Sequence, residues 1–197
     1  MDDQKISRFG AVELDELPAD LSQRIEAIAE KTGFVPNVFL ALGHRPDELR
    51  AFMDYHDALL NRDDGLSKSE RELVVVATSG ANNCTYCVVA HGAILRLRSK
   101  DPHISDRVAI NPWSCELNPR QRAIADIALK LCHDSDKFGD ADLAVARSAG
   151  LTDAEVWDVG AITALFALSN RLAHLMDLRP NEEFFLMGRS PDKVSLS

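Results

Sequence analysis

The sequence predicts an all-α fold, and three observations carry that reading. Apolar residues recur at helical spacing along most of the chain. Three segments carry a helix-start signature in which a Ser, Asn or Thr cap is followed three residues later by Glu or Gln. No segment alternates apolar and polar residues at period two for long enough to make a strand.

Leu21, Ile25 and Ile28 form the first apolar stripe, with Gly33 as its stop. Pro36 opens a short helix through Val38, Phe39 and Leu42. Pro46 opens the next, where Leu49, Phe52, Met53, His56, Leu59 and Leu60 share a face and Asn61–Gly65 breaks it. The box Leu66-Ser67-Lys68-Ser69-Glu70 starts a helix that Gly80–Asn83 is expected to end. Asn82 or Asn83 then caps a helix from about Cys84 to Arg98. Residues 99–115 read as irregular, with one short helix at Ser105–Ile110. Further helices are expected at Pro119–His133, Ala141–Ser148 and Asp153–Leu178. The stretch after Arg179-Pro180 reads as a peripheral tail, and Asp134–Asp140 as a surface loop. Two of the boxes, about fifty residues apart, suggest a weak internal repeat. The chain is expected to be one domain over 1–197, with an active-site half at about 20–100 and a second helical half at about 101–180.

With 197 residues the chain can bury a core without disulfide staples. A formal net charge of −9 argues against a nucleic-acid partner. Met1–Gly10 has no apolar core of a signal peptide, and Leu73–Thr78 and Ala161–Leu168 are too short to span a bilayer. No membrane role is expected, and a cytoplasmic setting is the default.

Chemistry concentrates in Asn83-Cys84-Thr85-Tyr86-Cys87-Val88-Val89-Ala90-His91. On a helix, positions 84, 87 and 91 fall within roughly a 60° sector. Two thiols three residues apart can form a redox pair, and a helix N-terminus favours the thiolate. His91 is placed to accept a proton from Cys87. Two other uses fit the spacing. Cys84, Cys87 and His91 could be three ligands of a zinc site whose fourth comes from Cys115 or Cys132-His133, or the cysteines could be small core residues. Glu72, early in the preceding helix, reads either as an exposed carboxylate answering the helix dipole or as a buried partner of His91. His56 reads as a core or interface histidine, Cys115 and Cys132 as structural, and Trp113 and Trp157 as packing residues.

The pattern Glu72-x11-Cys84-x2-Cys87-x3-His91 resembles the AhpD-like alkylhydroperoxidases of the carboxymuconolactone decarboxylase superfamily. The segment from Asn83 to Ala93 is similar to the branch of peroxidase-related proteins, and the likeness extends to Val35-Pro36-Asn37, Leu66–Glu70, Leu117–Arg120 and Asn170–Ala173. The resemblance implies an AhpD-like helical fold and a thiol-dependent peroxidase that needs no cofactor and no metal. It makes Glu72, Cys84, Cys87 and His91 catalytic, with Cys87 the thiolate that meets hydroperoxide, Cys84 resolving it, and Glu72 and His91 moving the proton. It makes Asn170 and Arg171 candidates for supporting the site or an interface. A lipoyl or thioredoxin-like dithiol is the implied reductant, and a homo-oligomer (trimer, dimer or hexamer) the implied assembly. In the family's best-known members a histidine precedes the second cysteine. Tyr86 stands there here, and a phenol is a poor base at neutral pH. A disulfide reductase serving another peroxidase, a decarboxylase-like enzyme using Glu72 and His91, and a zinc-bearing helical module are the alternatives.

Overall fold

The computed structural model describes residues 5–189. In chain order the helices are α1 (Ala19–Thr32), α2 (Asn37–Leu42), α3 (Pro46–Leu60), α4 (Lys68–Ala81), α5 (Thr85–Ser99), α6 (Ile104–Ile110), α7 (Pro119–His133), α8 (Asp140–Ser148), α9 (Asp153–Met176) and α10 (Glu183–Leu186). Among the described residues there is no strand.

The helix at the centre is α4, which packs against α5, α6, α7 and α9. Its sequence explains why. From Arg71 to Ser79 every residue is buried, so α4 presents no solvent face along that stretch and must be covered on all sides. The main core joins Leu73–Ala77 to Ala90, Ala93 and Leu95 of α5, Ile124 and Ala128 of α7, and Val159, Ile162 and Phe166 of α9. A smaller cluster, Leu17, Leu21, Ile25, Leu49 and Met53, holds α1 to α3. Among the described residues α9 alone is long and apolar enough to cross a membrane by composition, and half of its most apolar window is buried inside the fold. The three expected capping boxes are present, with Ser67, Asn118 and Thr152 each accepting from the backbone three residues on.

Gly80 does not break α4. The helix runs through it to Ala81, and a Cβ there would lie 2.5 Å from the Ala109 carbonyl oxygen of α6. Glycine serves close helix packing here. The turn comes later: Asn82 closes α4, and Asn83 takes a left-handed φ of 54°. The expected Asn cap is therefore displaced, and Cys84 itself is the N-cap of α5. Smaller shifts occur elsewhere: α8 begins at Asp140 and α9 ends at Met176, where Asp177 turns left-handed. The 134–140 loop contains a 3-10 turn at Ser135–Lys137.

The described part of the segment after Pro180 is docked and not peripheral. Phe184 is buried and meets Phe34 edge to face at 4.8 Å. Asn181 donates to the Val35 carbonyl and accepts from Asn37 N–H. The buried Arg96 of α5 donates to the Phe184 and Met187 carbonyls. The two tryptophans depart from expectation as well. Trp113 and Trp157 are both well exposed, because Val156 and Asp158 on either side of Trp157 take the inward positions on α9.

Candidate active site

The end of α4, the start of α5 and the C-terminal half of α9 meet around the two sulfurs. Cys84 and Cys87 are free thiols and both are buried. As N-cap, Cys84 stands beside amides that no helical carbonyl satisfies, the Cys87 N–H among them, although its sulfur makes no cap hydrogen bond. The Cys84 thiol is pulled down to about 7, first by a hydrogen bond from the Cys87 thiol, then by that amide, the charge of His174 and the Asn170 side chain, all against the opposing effect of burial. Cys87 moves the other way, well above the usual thiol range, because its neighbour holds the negative charge and because it is buried. The hydrogen bond between the thiols and the burial of Cys87 thus favour negative charge on Cys84 over Cys87.

Asn170 of α9 is fully buried and organises the sulfur side. Its amide donates to Ser79 Oγ at 3.1 Å, while its Oδ1 accepts from Asn82 at 3.0 Å. One turn on, His174 Nε2 lies 3.0 Å from the Asn82 carbonyl oxygen. Ser169 Oγ sits 3.8 Å from Cys87 Sγ. The α4–α5 turn and the thiols are thus tied to α9. Ser169 was not singled out by sequence, and Asn82 was read only as a helix cap. Asn170 was marked by the family resemblance, and His174 shares its face at i, i+4 spacing.

On the far side of Cys87 lies a second group of polar residues. Glu72 is buried, and its Oε2 is 2.9 Å from His91 Nδ1. Arg98 Nη1 donates to Glu72 Oε1 at 3.0 Å. With a guanidinium on one oxygen, the carboxylate is an acceptor for the other, so the shared proton sits on Nδ1 and Nε2 is the working nitrogen of His91. Phe166 packs edge to face on the imidazole at 4.7 Å. Neither thiol hydrogen-bonds to His91 directly. Arg98 had no sequence signal beyond standing seven residues after His91, two helical turns away.

Two expected contributors are elsewhere. Tyr86 turns away from the sulfurs, and its hydroxyl accepts from Val38 N–H at 3.1 Å. Burial pushes that phenol up, which removes it further from acid–base use near neutral pH. Arg171 is exposed and donates to the Ala167 carbonyl of its own helix. Cys115 lies by Asn111 at the end of α6, and Cys132 on α7 packs near Thr78. Among the described residues no three His, Cys, Asp or Glu side chains converge as a metal site would need. Two surface clefts lie apart from the site: one beside Arg96 and Arg189, the other an apolar groove of about 510 Å³ between Tyr55, Leu131, Phe138 and Trp157.

The model of the carboxymuconolactone decarboxylase family matches residues 46–103, the span from α3 to just past α5 that holds Glu72, Cys84, Cys87 and His91. A search of curated proteins finds no match. Solved structures do match. The AhpD core of a peroxidase-related protein from Ralstonia eutropha is 56% identical, with 96% of this chain and 100% of that one aligned at a TM-score of 0.93. A peroxidase-related protein from Silicibacter sp. is 34% identical over 96% of this chain and 99% of that one, with a TM-score of 0.87. The debrominase Bmp8 is 16% identical over 95% and 98%, with a TM-score of 0.73, and at that identity shows shared fold alone. The helical architecture, the matched core and the two near full-length relatives agree, and the chain belongs to the AhpD-like, peroxidase-related proteins of the carboxymuconolactone decarboxylase superfamily.

Proposed function

We propose that this protein is a thiol-dependent hydroperoxide reductase that cycles Cys84 and Cys87 between dithiol and disulfide. The observation that carries the reading is geometric: two free, buried thiols one turn apart at the start of α5, the first at its N-cap and drawn down to about 7, with the Glu72–His91 pair one turn further on. That is what a nucleophile and its resolving partner require. Cys84 attacks the terminal peroxide oxygen, the O–O bond breaks, and the alkoxide leaves with a proton supplied by His91. Cys84 is then a sulfenic acid. The Cys87 sulfur displaces its hydroxyl as water, closing the disulfide. Glu72 fixes the His91 tautomer throughout.

An external dithiol of lipoyl or thioredoxin-like type restores the pair, and the setting is a reducing, cytoplasmic one. No nucleic acid, membrane, metal or cofactor takes part. The protein works as a homo-oligomer, a trimer, dimer or hexamer. The exposed apolar side chains on the outer face of α9, namely Trp157, Leu168 and Leu175, support that assembly.

The test is a thiol titration of reduced protein before and after an equivalent of cumene hydroperoxide. Two thiols are lost in the wild type, none in Cys84→Ser, and Cys87→Ser stops at a sulfenic acid that dimedone traps. The rate falls about tenfold for each pH unit below 7, because a thiol is unreactive once protonated. Unchanged thiol counts in the wild type, or full reactivity in Cys84→Ser, would refute the reading.

A further inference from the structure

His56 of α3 lies on the apolar stripe of its helix, yet its surroundings are not those of a packing residue. Its Nδ1 is 3.2 Å from Asp57 Oδ1. The same carboxylate accepts from Asn61 at 2.8 Å and from Arg24 of α1 at 2.7 Å. Those donors, His56 first, hold Asp57 below the usual carboxylate range. Asp57 therefore does for His56 what Glu72 does for His91: each acid pins a proton on Nδ1 and leaves Nε2 as the working nitrogen.

The two imidazoles are also neighbours. Their ring centroids are 6.0 Å apart, and both rings rest on Phe166. Rings at that separation are close enough for one water to bridge a nitrogen of each. Side-chain exposure falls along the series, from 44% at Asp57 to 28% at His56, 15% at His91 and 2% at Glu72. The four groups form a path from solvent to the buried acid. The charged and titratable groups around the pair are Asp57 on α3, Arg24 on α1, and, behind His91, Glu72 on α4 and Arg98 on α5. From α9 it is faced by the apolar ring of Phe166.

We propose that His56 is the point at which protons enter and leave this site, a positioning residue that exchanges them with His91 through a water. The inference rests on the dithiol reading above. In that reaction Cys84 attacks as a thiolate, having already shed its proton. The S–O bond forms and the O–O bond breaks. The hydroperoxide gains two electrons, and its alkoxide takes one proton from His91. The Cys87 proton leaves with the sulfenic hydroxyl as water. With its Nδ1 proton held by Glu72, His91 can give a proton from Nε2 only after taking one there in the same turnover, and His56, more exposed than His91, is the imidazole beside it.

The experiment is a stopped-flow single turnover of the reduced protein with cumene hydroperoxide across pH 5–9, for wild type, His56→Gln, His56→Phe and Asp57→Asn. Both His56 variants are expected to slow dithiol oxidation about tenfold. Free imidazole should restore part of the lost rate, and the solvent deuterium isotope effect should rise. Asp57→Asn keeps the ring, frees its tautomer and should alter the pH profile. It decides the matter if the His56 variants do not fold. A wild type that leaves both thiols reduced overturns the dithiol reading and this inference with it. A reactive wild type, with variants that keep its rate or lose it without imidazole rescue and without a change in pH profile, overturns this inference alone.

Discussion

Arg71 and Glu72 are neighbours on α4 and both are buried charges, yet their partners differ in kind. Arg71 spends its guanidinium on the Leu59, Asp64 and Leu66 carbonyls and on Asp158 Oδ2, while Arg62 approaches the other oxygen, Oδ1, at 3.3 Å. Three of those acceptors are backbone oxygens at the end of α3 and in the turn before α4, which cannot change protonation state, and the fourth is a carboxylate held between two guanidiniums. Glu72 faces Arg98 and an imidazole that can take or give a proton. Full satisfaction by fixed acceptors makes a staple, whereas a titratable partner makes a working group. One turn of one helix carries both, so burial of charge alone does not mark a site.

The sharpest way to break this comparison is Arg71→Met. Removing the guanidinium strands the buried carbonyls of Leu59 and Leu66 and leaves Asp158 with Arg62 alone. A loss of about 3–5 kcal/mol in unfolding free energy is expected. Thermal unfolding should show a melting point lower by on the order of 6–15 °C. Dithiol reactivity measured well below that temperature should be unchanged. If reactivity falls as steeply as stability, Arg71 belongs to the site and the division fails.

Glu72→Gln should give the opposite signature. The amide keeps the size and one acceptor, so the stability loss is about 1–2 kcal/mol. The single-turnover rate with hydroperoxide should drop about 10- to 100-fold, because His91 loses the carboxylate that fixes its tautomer. Paired denaturant titrations and stopped-flow traces check both halves. A variant that is badly destabilised but fully reactive would make Glu72 a second staple.

The same contrast explains what the sequence could and could not reveal. Glu72 was legible through the family its spacing to Cys84, Cys87 and His91 resembles; by its own position it read equally as an exposed acid answering the helix dipole. Arg71 stands beside it unmarked, since its partners are carbonyls that any residue would supply. The capping boxes at Ser67, Asn118 and Thr152 were legible by themselves, because the cap and its partner lie three residues apart. The α5 start was misread because two asparagines competed for one cap, and Asn83 went to the left-handed turn. The displaced cap is Cys84, which sets that thiol beside the free amides at the start of α5. His56 was read only as a core or interface histidine, Asn82 only as a cap and Ser169 not at all, because their contacts run across α3, α5 and α9 and periodicity does not encode them. Phe184 was assigned to a tail for want of any local sign that Phe34 and Arg96 wait for it.

Arg98→Gln should have the smallest effect and tests the boundary between the two kinds of cluster. Arg98 resembles Arg71 in type, and it too donates to a backbone oxygen, that of Lys68 at 3.2 Å. It differs in exposure: 27% of its side chain is open, against none for Arg71. Solvent screens an ion pair in that position, so its removal is expected to cost under about 1 kcal/mol. The rate should fall about two- to fivefold, because Glu72 still holds His91 but has lost the guanidinium on its other oxygen. Arg98→Lys should recover most of that rate by restoring the charge. Should Arg98→Gln cost as much stability as Arg71→Met, and Arg98→Lys recover none of the rate, Arg98 would be a second structural arginine, and its partner Glu72 would be held for the fold before the chemistry.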